Sequence, residues 1–277
     1  MPIAWDVLAR HARPGDLIFF RGAEVVSKAI AWVQHHQTRV ARRHRRHPAP
    51  AEWTHVGILV DHRLLPGRGL ALDEWYVLES TMSGAIGDGV CACYGPALAH
   101  RRGFFGVQLR SLREILAEYE RRGLDARVGL GCVRNLPRVE DLAVRFTAFF
   151  DGVNWTPYNA SALALLASAY PALRPLRGLC NAVWGNQWLF CSELVATWIN
   201  YIGLVAGEKV TLRGSWVRDV LPADFLGVDA DGLPQVCDEP ILFYCAEGSR
   251  FTLGRPPSEP APPPLPAEDA DPGDAAQ

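Results

Sequence analysis

"WTHVGILV", residues 53–60, decides how the rest of the chain is read. Its branched and aromatic content predicts a strand. Strand alternation then places His55, Gly57 and Leu59 on one face, with Thr54, Val56 and Ile58 on the other. A second strand, "EWYVLES" (74–80), follows a connection carrying "PGRG" at 66–69, so the two predict a hairpin-like antiparallel pair. Outward from this pair, further strands are expected at 16–20, after the turn "RPGD", and at 106–110, 126–134 and 239–245. Between them run segments of helical spacing. These are 23–33, where Val25, Val26, Ala29, Ile30 and Val33 form one apolar face, then 111–122, 138–151 after Pro137, and Cys191 to about Tyr201. Residues 160–173 form a small apolar helix or an ordered cover, 81–106 a long Gly-rich loop, and "LPADF" (221–225) a turn. The inventory is α+β, a single domain over 1–253 built on a central antiparallel sheet.

The totals exclude several classes. A chain of 277 residues with 49% apolar and 21% charged residues buries a real core. Beyond Gly254 the sequence turns Pro-rich, acidic and free of aromatics, so 254–277 is expected to be disordered. That tail sets Glu259, Glu268, Asp269, Asp271 and Asp274 against Arg255 alone, which leaves a body near neutrality under an overall net charge of −2. The one basic run, "RVARRHRRHPAP" (39–50), reads as an inserted arm. It is first of all a solvated loop, and second a place for an anionic group at 39–47. With no aromatics interleaved, it gives no case for nucleic acid. His35, His36, His44 and His47 have no nearby Cys or acid, so no metal is expected, and no cofactor. Seven cysteines do not form a disulfide framework. No apolar run reaches the roughly 18 residues of a membrane span. The opening stretch lacks a signal-peptide pattern, so a cytoplasmic protein with reduced thiols is expected.

Cys191 lies in "NQWLFCSELVATWINYIGL" (186–204), at the predicted start of a helix with Glu193 in its first turn. Most cysteines in such a setting are buried core residues. A helix N-terminus nevertheless favours a thiolate, because its N–H groups and dipole stabilise negative charge. His55 by itself is most simply a hydrogen-bonded sheet histidine, and Glu79, at the end of its strand, a solvated carboxylate. Their combination is more informative: thiol, imidazole and carboxylate are what an activated nucleophile, its base and an orienting partner require.

In order along the chain, "GDLIFFRG", "THVGIL", "VLES", "GVNWTPYN", "LFCSELV" and "LPADF" resemble the circularly permuted NlpC-type papain-like hydrolases, the YiiX/YaeF-like group. The resemblance spans roughly 13–245, with the histidine strand ahead of the cysteine helix. It implies a permuted papain-like fold in which a central antiparallel sheet packs against helices, the nucleophile helix among them. It also implies Cys191 as nucleophile, His55 as general base, Glu79 as the polar third member and Tyr158 as a hydroxyl near the oxyanion. The Gly-to-Tyr spacing in "GVNWTPYN" is longer than the family pattern. Gln187, four residues before Cys191, is a further oxyanion or substrate-binding candidate. Trp155, Trp184 and Trp188 precede the cysteine in sequence, either as core packing or as walls of a substrate groove that would suit a small-molecule, lipid or peptide acyl group. Two classes remain open: a hydrolase or acyltransferase working through Cys191, and a non-catalytic module that binds lipid or protein on the same fold.

Overall fold

β1 (Leu17–Arg21) buries four successive side chains, Leu17, Ile18, Phe19 and Phe20, completely. A strand does this only where both faces of its sheet are covered. The structure, a computed structural model, describes residues 5–21, 53–81, 106–121, 127–154, 156–157, 190–206, 222–226, 236–237 and 240–245. The expected helix at 23–33, the basic arm at 39–50, nearly all of the 81–106 loop, the 160–173 segment and the tail lie outside them.

Within the described residues the chain runs α1 (Trp5–His11), β1, β2 (His55–Val60), β3 (Tyr76–Thr81), β4 (Gly106–Ser111), α2 (Leu112–Arg121) and β5 (Arg127–Gly131). It continues through α3 (Val139–Val153), α4 (Cys191–Ala206), a 3-10 turn (Pro222–Phe225) and β6 (Ile241–Cys245). The six strands form one sheet in the order β4-β3-β2-β1-β5-β6, and every neighbouring pair is antiparallel. The α+β class and the β2–β3 pairing read from sequence are both present, the latter with Leu59 opposite Val77.

Two cores flank the sheet. On one face Val56, Ile58, Val60, Leu78 and Leu109 meet Phe146 and Phe150 of α3 and Leu194, Val195 and Trp198 of α4. On the other, Ile18, Phe20, Leu59 and Val77 meet Leu8 of α1 and Ile115 and Leu116 of α2. β1 and β2 therefore read as near-continuous apolar runs instead of alternating ones.

The register of β1 against β2 is fixed at its start. Gly15, at φ 97°, makes a turn that L residues with a Cβ rarely adopt. Its N–H donates to the Leu59 carbonyl at 2.7 Å, and the Leu59 N–H donates to the Asp16 carbonyl at 2.7 Å. The buried Asp16 carboxylate accepts from the N–H groups of Arg13 at 2.7 Å and Val133 at 2.8 Å, tying the turn to the chain beyond β5. This anchorage leaves Phe20 opposite His55.

α4 continues to Ala206, five residues past the predicted end and through Gly203. A mid-helix glycine costs about 1 kcal/mol relative to alanine. Ile202, only 4% exposed, supplies burial of about 1.5–3 kcal/mol that outweighs it. Among the described residues no helix is long and apolar enough to cross a membrane.

Candidate active site

His55 is the first residue of β2 and keeps 18% of its side chain exposed. Its Nε2 lies 2.7 Å from Oε2 of Glu79, which β3 presents two residues beyond Val77 on the face shared with α2. The Cys191 side chain lies close enough to the imidazole to act on its charge. Because Nε2 is turned to Glu79, Nδ1 is the ring nitrogen not engaged there. Cys191 is the first residue of α4 and is 3% exposed. Phe20 packs against the imidazole at 5.4 Å between centroids and fixes its tilt.

The helix start that carries the thiol is capped by its own third residue. Glu193 Oε2 accepts from the backbone N–H of Phe190 at 2.9 Å, the carboxylate half of a capping box. The first-turn N–H groups, which have no intrahelical acceptors, define the end of α4 at which the thiol sits.

Charge at this site is arranged in sequence. Burial alone would lower the His55 pKa. The Cys191 thiolate and then the Glu79 carboxylate outweigh it, and the imidazolium is held up to about 10. Burial would likewise raise Glu79, but its bond to His55 and the Arg110 guanidinium hold it below the ordinary 4.5. The signs give a stability prediction. His55, raised from 6.5, contributes fully below about pH 6.5 and loses that contribution as pH climbs through about 10. Glu79, lowered, contributes above 4.5 and loses it as pH falls through its depressed value. Urea unfolding across pH should therefore find wild type exceeding His55→Ala most between about pH 5 and 6.5, with the gap narrowing steadily toward pH 10. A gap that stays constant over that range would contradict this charge pattern.

Gly57 lies two residues beyond His55 in β2. Its missing side chain does not leave space for substrate or a helix terminus. A Cβ there would meet Val77 Cγ1 at 2.4 Å, the Leu78 carbonyl oxygen at 3.1 Å and Glu79 Cβ at 3.3 Å. Glycine is needed so that β3 can bring Glu79 up to His55. Gly57→Ala should destabilise the protein by about 1–3 kcal/mol through overpacking and slow alkylation of Cys191 by displacing Glu79. Unchanged urea midpoints and labelling rates would count against it.

The structure thus brings together Cys191, His55 and Glu79 out of the residues singled out in the sequence. Tyr158, Trp155, Gln187 and Trp188 lie outside the described residues. Sequence inspection missed Arg110 and Glu118. Arg110 Nη1 donates to Glu79 Oε1 at 3.2 Å, and Nη2 donates to Glu118 Oε2 at 2.5 Å. The available signal was an arginine inside the apolar strand "GVQLRS", which cannot stay buried without carboxylates. Among the described residues no group of three His, Cys, Asp or Glu side chains is placed to hold a metal ion. None of the described cysteines, Cys132, Cys191, Cys237 and Cys245, is joined in a disulfide. Compared with known proteins, the chain matches no family model and no curated sequence.

Proposed function

We propose that this chain is a cysteine hydrolase of permuted papain-like fold that cleaves an acyl bond (amide, ester or thioester) through a Cys191–His55–Glu79 triad. The observation that carries the proposal is the imidazole held between two partners, the Glu79 carboxylate at 2.7 Å and the thiol at the first residue of α4.

In the proposed reaction His55 Nδ1 takes the Sγ proton while Glu79 holds Nε2–H and steadies the imidazolium. The thiolate attacks the substrate carbonyl carbon. The oxyanion that forms is met by the backbone N–H of Cys191 at the α4 terminus, with Tyr158 as the second donor the resemblance implies. As the carbonyl re-forms, the bond to the leaving group breaks, and His55 gives its proton to that group. A thioester on Cys191 remains. Water, deprotonated by His55, attacks the thioester; the acid departs and the proton returns to sulfur. Acyl transfer differs only in the nucleophile of the second half. Trp155, Trp188 and Gln187 are proposed to line the acyl groove, and the 39–47 arm to attract an anionic substrate group.

The test is covalent. The intact protein is mixed with p-nitrophenyl esters of short and medium chain length, quenched in acid and mapped by mass spectrometry. An acyl adduct on the Cys191 peptide, with a matching burst of nitrophenolate that Cys191→Ala lacks, is the expected result. Adducts spread over other cysteines, or a burst that survives in the variant, would remove the case for this nucleophile.

A further inference from the structure

Behind the candidate triad runs a second pair of charges that acyl chemistry does not require. The Glu79 carboxylate is fully engaged, with Oε2 on His55 and Oε1 on Arg110. Arg110 reaches it from β4. Val77 pairs with Arg110 and Glu79 with Gln108, so the arginine sits diagonally across the ladder on the face of Glu79. Its side chain is 7% exposed, and its other terminal nitrogen is held by Glu118 from α2, itself 15% exposed. Charge therefore alternates from the imidazolium through carboxylate and guanidinium to a final carboxylate near the surface. Tyr119, next to Glu118, also acts on the guanidinium. The groups that bear on Glu79 are His55 from β2, Arg110 from β4 and, through Arg110, Glu118 and Tyr119 from α2; Cys191 of α4 acts on His55.

A buried arginine is costly unless paired, and the same volume could be filled with apolar side chains at no loss of stability. Its placement does something that apolar packing would not. A guanidinium is planar, always charged, and presents its donors in a fixed fork. One arm draws the Glu79 carboxylate into a set orientation while the other is restrained by Glu118. We propose that Arg110 is a positioning residue for the thiol–imidazole pair: it keeps Glu79 ionised and aimed at His55 Nε2, and Glu118 sets how much of the guanidinium charge Glu79 receives. This rests on the Cys191–His55–Glu79 reading and extends it by one strand and one helix.

The consequence is read in the acid edge of Cys191 alkylation, the pH at which the iodoacetamide rate has fallen to half its plateau. An adjacent cation moves a carboxylate by about 1–3 pH units, and the thiolate is coupled to that carboxylate through His55. Arg110→Met should move the acid edge upward by about one pH unit, a tenfold loss of rate on the acid side of the wild-type edge. Arg110→Lys, which keeps the charge and loses the fork, should recover part of the shift. Glu118→Gln removes an anion and leaves the guanidinium charge to Glu79 alone, so the edge should move the other way, down by up to about half a unit. Opposite shifts from the two variants are the signature, because merely loosened packing lowers the rate equally at every pH and leaves the edge in place.

Should Arg110→Met fail to fold, the partly exposed Glu118 site carries the test, and an unmoved edge in Glu118→Gln overturns the proposal. His55→Ala separates the two levels. If it leaves the wild-type profile intact, the thiol–imidazole reading itself fails. If it abolishes that profile while the Arg110 and Glu118 variants leave it untouched, only the role of Arg110 fails.

Discussion

Replacing His55 by alanine should slow iodoacetamide alkylation of Cys191 at pH 6 by on the order of a hundredfold, because an ordinary thiol titrating near 8.5 offers well under 1% thiolate there. On the proposed reading a charge pair supplies the difference in the native protein. An imidazolium held up to about 10 stays charged across the neutral range, and a cation beside a thiol favours its thiolate form. The labelling rate should therefore be nearly flat from pH 6 to 9 in the wild type and rise steeply over the same range in the variant, with the two converging near pH 9. Peptide mapping is required, since Cys132 and Cys245 are partly accessible and will label on their own schedule. Glu79→Gln, which leaves an amide to hold Nε2–H, should fall between the two. A wild-type profile that climbs like a free thiol, with no dependence on His55, would return Cys191 to the role of a core residue and leave a binding module as the better account of the fold.

The second large effect concerns stability. Trp198 is fully buried where α4 meets α3, with Phe146 edge-on at 5.0 Å, Phe149 at 5.3 Å and Tyr201 stacked at 6.2 Å. Truncation to alanine should cost about 3–5 kcal/mol, a large share of the roughly 5–15 kcal/mol that holds a domain together. The indole N–H finds no acceptor among the described residues. Trp198→Phe removes that donor while keeping most of the ring contacts, so it should lose less than about 1.5 kcal/mol. Urea unfolding of the two variants beside wild type decides it. A loss below about 1 kcal/mol in Trp198→Ala would show that the helix layer does not depend on this ring. The same experiment bears on the site, because α4 carries Cys191 at one end and Trp198 near its middle.

His55 and Glu79 could be found in the sequence because alternation and antiparallel pairing are local rules. Once two strands are joined by a short connection, the face each residue takes follows from parity, and a histidine and a glutamate of matching parity are brought together. Cys191 was legible for a similar reason, since the start of a helical pattern marks the terminus. Arg110 needed the register of a third strand, reached across residues 82–105, and Glu118 needed the face of the helix behind it. Neither is set by spacing alone. Gly57 was visible as a small residue beside the imidazole, but which atoms filled the gap depended on the side chain at Val77. The end of α4 was misplaced because Gly203 is a local stop signal that Ile202 overrides by burial in a core assembled from other segments.

The antiparallel ladder also constrains how the chain acquires its shape over time. β1 lies between β2 and β5, and its turn is tied to Val133 across 117 positions of sequence. Contacts so distant must be closed against chain entropy before they return any stability, which places such topologies among slow folders, in the range of about milliseconds to seconds. The thiol comes last: strands that carry the imidazole and the carboxylate leave the ribosome well before Cys191, and the thiol nears the imidazole only once α4 docks. A chain in which α4 has not docked carries an ordinary thiol at Cys191, so on the proposed reading only labelling below about pH 7 would report the docked pair.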